Sequence, residues 1–460
     1  MKIIIAGAGA VGTHLARLLS KENLNVVLID ADEDKLSKLS GEMDIMTLAV
    51  SPTSLTGLGD AGVADADLFI AVTPHESENI TCCMLAKQLG ARRTVARVDN
   101  FEYMKPENRH YFEQMGISSL IYPELLAARE IAESAQFSWV RQLWEFGEQN
   151  DLLLLSVKMH DNHPIEDKEI ANHDNQLVGH TLREIGRLHG HAFHVVAIKR
   201  NGETVMPTGD DRILARDLVF FMTTRDNVNN IRHLSGKDDY PSVKHALIIG
   251  GGKLSVRADW ALPDSLSLKI IEPSYERCEQ LGKMTKSRTL VINGESHDMD
   301  LLNDEGYGYL EAFIALTPND EENILACVAA RRKGVRKTIA QVENLDYFDM
   351  AEDLDVGTII NKKQIAASHI YQMLLKSSIA GVKMLTVADA DVAEFVVTKG
   401  SRITRHPVME LGLPRGVNLG GMIRNGRAQL IEGQTQLQEG DRVVVFCMTG
   451  MLKRLDRYFK

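Results

Sequence analysis

Gly7, Gly9, Gly12 and Asp30 carry the first chemical signal, in the stretch "MKIIIAGAGAVGTHLARLLSKENLNVVLID". The pattern is G-x-G-x-x-G between a β-branched run (Ile3-Ile4-Ile5) and a helical one beginning at Val11, with an acid about twenty residues further on. Gly7 permits a tight turn, Gly9 lets a charged oxygen approach bare backbone, and Gly12 lets the helix pack against the strand. Ala8, Ala10 and Val11 complete the loop and open the helix. A helix N-terminus offers unpaired N–H groups and partial positive charge, which suits a pyrophosphate. A carboxylate ending the second strand accepts from ribose hydroxyls and repels a 2′-phosphate. Together these residues predict retention of an adenine nucleotide, with NAD(H) favoured over NADP(H).

Ligands of such sheets sit beyond the carboxyl ends of the strands. That rule nominates Ser51-Pro52 after "IMTLAV", Thr73-Pro74 after "LFIAV", and Arg97 after "TVA". Thr73 is placed to donate to ribose or phosphate, or to cap the next helix. Arg97 is placed to face phosphate, or to make a surface pair.

The chain then repeats itself. "AVTPHESENITCCMLAKQLGARRTVARVDN" from Ala71 matches "ALTPNDEENILACVAARRKGVRKTIAQVEN" from Ala315 without a gap. "KIIIAGAGAVG" pairs with "HALIIGGGKLS", so Gly250, Gly252 and Glu272 form a second candidate cofactor site. There Ser255 holds the third glycine position, Lys253 lies inside the turn, and Gln341 stands where Arg97 stood. Serine is expected to hold the helix further from the strand, and Lys253 to bind phosphate or fill space. A repeat of about 240 residues is far longer than a solenoid unit, so each half is a module of one or two domains.

The elements that position these residues follow from hydrophobic patterning. Residues 1–133 alternate short β-branched strands with helices, which specifies a mostly parallel, doubly wound sheet. A helical connector (about 125–142) follows, then strands with few long helices, including "LLLLSVKM" and "DLVFFMTT". Asn201-Gly202 and Asn425-Gly426 mark hairpins in the two copies. The expected fold is α/β: a dinucleotide-type domain (1–133), a small α+β domain (143–226), and a second copy of each (243–370 and 378–457). The connector helices near Ala127 and Ala367 are read as hinges, as swapped contacts between modules, or as ordinary core helices.

Composition narrows the function. A net charge of −11 argues against nucleic acid as partner, since phosphates require a basic face. Five cysteines without a metal-binding spacing suit a reduced compartment, with Cys82 and Cys83 expected as buried small side chains. No leader and no apolar run of bilayer length is legible. Hydride transfer needs a substrate pocket and a proton carrier, and the remaining domains are short and poor in reactive groups. His180, His189, His191 and His194 cluster in "GHTLREIGRLHGHAFH", without the i, i+4 spacing of a helical metal pair.

GAGAVG with Asp30, the Ala-Val-Thr strand end with Glu78-Asn79, the connector, and the "GDDR" and "EGDR" turns, all duplicated, resemble the bacterial TrkA family. The resemblance covers the whole chain. It implies two tandem regulator-of-potassium-conductance (RCK/KTN) units, each a Rossmann-like domain followed by an RCK-C type domain. It implies a non-enzymatic regulatory subunit, self-associating as a dimer or tetramer ring. It places that ring on the cytoplasmic face of the inner membrane, gating a TrkH-like potassium transporter in response to NAD(H) or ATP/ADP. By position, the family's nucleotide contacts fall on Gly7 to Gly12, Asp30, Ser51, Thr73 and Arg97. After the third strand, Val50-Ser51-Pro52 replaces the family's Gly-Asp type of turn. A soluble NAD-dependent oxidoreductase using His191 or Lys253, and an RCK-type gate of another ion channel, are the alternatives.

Overall fold

The computed structural model describes residues 1–460 except 21–23, 42, 148, 150, 161–174, 191, 297, 375–378, 385–389, 449–450 and 460. The chain divides into two bodies. One comprises Met1–Leu126 with Lys362–Leu375, the other Ala127–Asn361 with Lys376–Lys460.

The first body is built on six parallel strands: β1 (Lys2–Ala6), β2 (Asn25–Asp30), β3 (Met46–Ala49), β4 (Leu68–Ala71), β5 (Arg93–Arg97) and β6 (Ser119–Ile121). Their order is β3-β2-β1-β4-β5-β6. Ile3, Ile4 and Ile5 are fully buried, as are Leu28, Ile29, Phe69 and Ile70, because helices cover both faces of a parallel sheet. Each such side chain contributes about 2 kcal/mol of burial, which is why uninterrupted Ile/Val/Leu runs form these strands. The order reverses between β1 and β4, which opens a crevice at their carboxyl ends. Cys82 and Cys83 are fully buried on the helix Glu76–Gln88.

The helix Lys362–Leu374 comes from the second half of the sequence yet belongs to this first body, where it packs on the helix Ala10–Ser20. Arg93 Nη1 donates to the Met373 carbonyl at 3.2 Å, and Lys362 Nζ lies 3.6 Å from Glu124 Oε1. In the second body Ser134, near the end of the helix Pro123–Ala135, shares a hydrogen bond of 3.0 Å with Thr358. The second connector helix thus makes a swapped contact with the first module.

The second body contains two antiparallel sheets and one parallel sheet. The first antiparallel sheet consists of β7 (Gln142–Phe146), β8 (Leu152–Lys158), β9 (Phe193–Arg200), β10 (Glu203–Val205) and β11 (Leu218–Thr224). The parallel sheet consists of β12 (His245–Ile249), β13 (Ser267–Glu272), β14 (Leu290–Asn293), β15 (Ala312–Ala315), β16 (Lys337–Gln341) and β17 (Thr358–Ile360), in the same order as the first. The second antiparallel sheet consists of β18 (Ile379–Met384), β19 (Ala390–Val396), β20 (Val417–Arg424), β21 (Arg427–Leu430) and β22 (Arg442–Met448). The orders β7-β8-β11-β9-β10 and β18-β19-β22-β20-β21 are the same topology read twice. Asn201-Gly202 and Asn425-Gly426 take positive φ (51° and 81°, 51° and 76°) in the expected tight hairpins. The two antiparallel sheets share an apolar core in which Phe220 and Phe446 stand 5.8 Å apart. Residue 378, where the last domain was expected to open, lies outside the described residues.

An ionic cluster ties the first antiparallel domain to the second parallel sheet. Asp355 accepts from Arg141 and from Arg331 (2.6 Å), and its Oδ2 lies 3.6 Å from His160 Nε2. Burial alone would raise the Asp355 carboxyl, but Arg141, His160 and Arg331 together hold it well below the usual carboxylate range. Burial pushes the His160 imidazole down to about 4, against the upward pull of Asp355. Its neutral form accepts from Lys237 at Nδ1. A lowered folded pKa makes the unfolded chain bind the proton first. The stabilisation is therefore complete above 6.5 and lost as pH falls from 6.5 toward about 4. The ring is 44% exposed, so solvent limits the effect. Urea midpoints should fall over this interval, and fall less in His160→Gln. Parallel profiles for the two proteins would refute the assignment.

Candidate functional site

The first glycine turn lies in the crevice between β1 and β4. Gly7 has φ +110°, and a Cβ there would stand 3.0 Å from Thr73 N and from the Val72 carbonyl carbon. Only a glycine lets the turn press against the end of β4 in that conformation. A Cβ on Gly12 would stand 1.9 Å from the Gly7 carbonyl oxygen, so the helix Ala10–Ser20 rests directly on the turn. Gly9 is exposed with nothing within 4 Å of a Cβ position, which leaves bare backbone facing the crevice. The first turn of the helix, from Ala10 and Val11, contains no acidic residue. Its partial positive charge is not offset from within that turn.

Asp30 ends β2 beside this turn. Its Oδ2 accepts from Ala8 N at 2.6 Å and its Oδ1 from Asp32 N at 2.9 Å. The carboxylate thus fixes the loop, and its remaining lone pairs are available to hydroxyl donors. β3 pairs with β2 so that Ala49 faces Asp30, and Val50 N donates to the Asp30 carbonyl. This register places Ser51 and Pro52 on the same edge. Ser51 is exposed, with its Oγ 3.0 Å from Thr53 Oγ1.

On the other side of the crevice, Thr73 follows β4. Its hydroxyl donates to the His75 carbonyl and accepts from His75 N, both at 3.3 Å, at the start of the helix Glu76–Gln88. Pro74 is exposed in the same loop. Arg97 ends β5, one strand further out. Its Nη2 pairs with Asp99 Oδ1 at 3.1 Å, while its Nε is buried with no partner among the described residues. The Asp99 pair is present, and a donor remains on the same guanidinium.

Asn79 is a residue that the sequence marked but did not assign. It is 1% exposed, accepts from Thr73 N (2.8 Å), and donates to the Thr73 and Arg97 carbonyls (both 3.0 Å). One amide therefore joins the ends of β4 and β5. Glu76 accepts from Asp99 N and Asn100 N in the same way. Asn323 and Asp320 repeat both arrangements in the second half. The signal was available: the asparagine recurs in both copies of the duplicated stretch, and an acid stands three residues before it in each. Asn79→Ala strands a buried N–H and two carbonyls and should cost about 2 kcal/mol. Chemical denaturation of the full chain measures this, and an unchanged midpoint would remove Asn79 from the frame.

Residues 3–123 and 246–362 match the TrkA-N domain, and residues 162–236 and 392–460 match the TrkA-C domain. The chain belongs to the TrkA family. The Trk system potassium uptake protein TrkA of Halomonas elongata is 30% identical over 458 residues, covering 97% of this chain and 95% of that one. The protein of the same name from Haemophilus influenzae is 28% identical over 452 residues, with 97% and 95% covered. The GsuK RCK domain structure superposes with a TM-score of 0.59 at 16% identity, covering 100% of this chain and 94% of that one. The NAD-bound GsuK channel gives the same TM-score and identity, covering 100% and 78%. These likenesses establish the architecture as two tandem Rossmann-like and RCK-C type units.

The second TrkA-N domain keeps the turn and adds a side-chain bond to it. Gly250 has φ +90°, and Gly251 N donates to Glu272 Oε2 at 2.7 Å, as Ala8 does to Asp30. Gly252 keeps open space around its Cβ position. Arg277 Nε donates to the Gly251 carbonyl at 2.8 Å, and a Cβ on Gly251 would stand 2.5 Å from Leu281. Lys35, at the matching place in the first TrkA-N domain, pairs instead with Asp32. Ser255 is fully buried, and its hydroxyl donates to the Gly250 carbonyl. The serine at the third glycine position is thus bonded to the turn that it follows.

Among the described residues no group of three His, Cys, Asp or Glu side chains could hold a metal. His180 lies 3.8 Å from Glu184, His189 ends the helix Leu182–His189 and His194 lies on β9. His191 lies outside the described residues. No described helix is long and apolar enough to cross a membrane.

Proposed function

We propose that this chain is a nucleotide-responsive regulatory subunit of a membrane potassium-uptake transporter of the TrkH type. It binds NAD(H) at the first glycine turn, with ATP/ADP as competitors for the same donors. The observation that carries this reading is the full-length match to potassium uptake proteins, joined to an open Gly9 backbone beside Asp30. Binding is assigned to Gly7 through Gly12 for the pyrophosphate and to Asp30 for the ribose. Ser51-Pro52 and Thr73-Pro74 form the walls, and the Nε of Arg97, without a partner among the described residues, supplies a cationic donor. The second turn, with Gly250, Gly252 and Glu272, is assigned no nucleotide, a reading supported by the hydrogen bond that Arg277 makes to the Gly251 carbonyl.

A ligand shifts an equilibrium only through its different affinity for two arrangements, and about 1–3 kcal/mol is enough to bias a gate. Two similar modules in one chain form a pseudo-symmetric pair, and two chains complete a ring of four modules. Such a ring acts at the cytoplasmic face of the inner membrane through its transporter.

The test uses proteoliposomes carrying a TrkH-type transporter, with purified chain added outside. Rubidium uptake should change with NADH and stay unchanged without the chain, while the reduced-nicotinamide absorbance holds steady. Uptake indifferent to the chain at every nucleotide concentration would defeat the regulatory reading. Steady loss of that absorbance with common carbonyl substrates would favour an oxidoreductase.

A further inference from the structure

We propose that the second body binds a small inorganic anion in a basic pocket beside Lys337. The pocket lies where the connector, the first antiparallel domain and the second parallel sheet meet. The proposal is independent of nucleotide binding at the first turn.

Lys337 opens β16 and is 2% exposed. Its ammonium donates to the Val140 carbonyl and, at 3.2 Å, to Thr358 Oγ1. Lys237 is 3% exposed and, among the described residues, meets only His160 Nδ1 and, at 3.4 Å, Tyr240 Oη. Neither lysine touches a carboxylate among the described residues.

Among the described residues the neighbours do not supply the missing charge. Arg141 and Arg331 share the single carboxylate of Asp355. Arg336 pairs with Asp239 at 3.2 Å and lies 5.1 Å over the Tyr240 ring. Lys158 also lines the pocket, and with Lys199 it faces Glu352 (3.9 and 2.5 Å) and Asp349 (3.5 Å from Lys199), two cations against two carboxylates. Arginine does not lose its proton in proteins, so among the described residues three guanidiniums against two carboxylates leave an excess positive charge even with Lys237 and Lys337 neutral. With the lysines charged, the excess is three.

This surplus sits in a chain whose net charge is −11. Burying an unpaired charge costs several kcal/mol, so the cluster either sheds protons or takes in an anion. Without an anion, burial and the adjacent arginines push Lys337 well down, and burial first of all pushes Lys237 down. An anion reverses this, and its binding is therefore coupled to proton uptake. The space between the side chains is about that of one water molecule, so chloride or bromide enters only with a small outward shift of the side chains, and phosphate requires a larger one.

The experiment titrates the full chain with chloride and bromide in a glutamate buffer of fixed ionic strength, following thermal unfolding and calorimetric proton uptake. We expect a saturable rise in Tm, proton uptake on binding, and affinity that falls as pH rises. Lys337→Met and the half-exposed Arg336→Gln should each weaken the response at least tenfold. Arg336→Gln keeps the test decisive if Lys337→Met fails to fold. Crystals soaked in bromide should show anomalous density between Lys237 and Lys337. A Tm that follows ionic strength alone, or equal responses in wild type and both variants, would overturn the proposal. A halide response lost in Asp30→Ala but kept in Arg336→Gln belongs to the glycine turn and also counts against the pocket.

Discussion

Replacing Asp30 by alanine is expected to weaken NADH binding on the order of a hundredfold while the chain still folds. The carboxylate is placed to accept from two ribose hydroxyls, and hydrogen bonds to a charged acceptor are worth about 1.5–3 kcal/mol each. It also holds the loop, since Ala8 N and Asp32 N donate to it. Part of the loss therefore reflects a turn no longer fixed before the ligand arrives. Asp30→Asn separates the two contributions. Its amide oxygen can keep one loop bond, but it lacks the charge that favours ribose and repels a 2′-phosphate. The asparagine variant should bind NADH less weakly than the alanine variant and discriminate less against NADPH than the wild type. Calorimetry with both coenzymes measures this, with circular dichroism reporting the fold. Unchanged affinity in both variants would move the ribose contact away from Asp30.

Gly12→Ala should destabilise the first body by about 3 kcal/mol and abolish nucleotide binding with it. The added Cβ would meet the Gly7 carbonyl oxygen at 1.9 Å. That neighbour is backbone, so no rotamer change relieves the overlap. The helix must move off the turn, which carries its free N–H groups away from the crevice. The second half supplies a comparison, because Ser255 occupies the same place with its hydroxyl bonded to the Gly250 carbonyl. Gly12→Ser should accordingly lose less stability than Gly12→Ala, since its hydroxyl can donate to the Gly7 carbonyl. Differential scanning of the three proteins tests the ranking. Equal melting of Gly12→Ala and wild type would mean that the helix does not rest on the turn.

The parts of the fold that were legible in the sequence are local. Ile3-Ile4-Ile5, the glycines and Asp30 lie close along the chain and follow one periodic rule. The Asn-Gly hairpins depend on two residues that tolerate positive φ. The duplication then doubled each signal, and the family resemblance followed from the order of the four domains.

What escaped depends on contacts between distant segments. Nothing near Lys362 announces that its helix packs on the helix Ala10–Ser20, so sequence left hinge and swapped contact equivalent. The meeting of Arg141, Arg331 and Asp355 joins residues roughly 200 apart, each an ordinary surface type by itself. The bond from Arg277 to the Gly251 carbonyl was also hidden, because it joins residues 26 apart across the second strand of that sheet. Asn79 was visible in the repeat, but its identity alone did not reveal that one amide braces two strand ends.

The most direct test of the central claim is the stoichiometry of NADH on the full-length chain, measured by isothermal titration. The account predicts one NADH per chain, held at the first glycine turn and recovered unoxidised. Absence of binding, or two equivalents per chain, would contradict it.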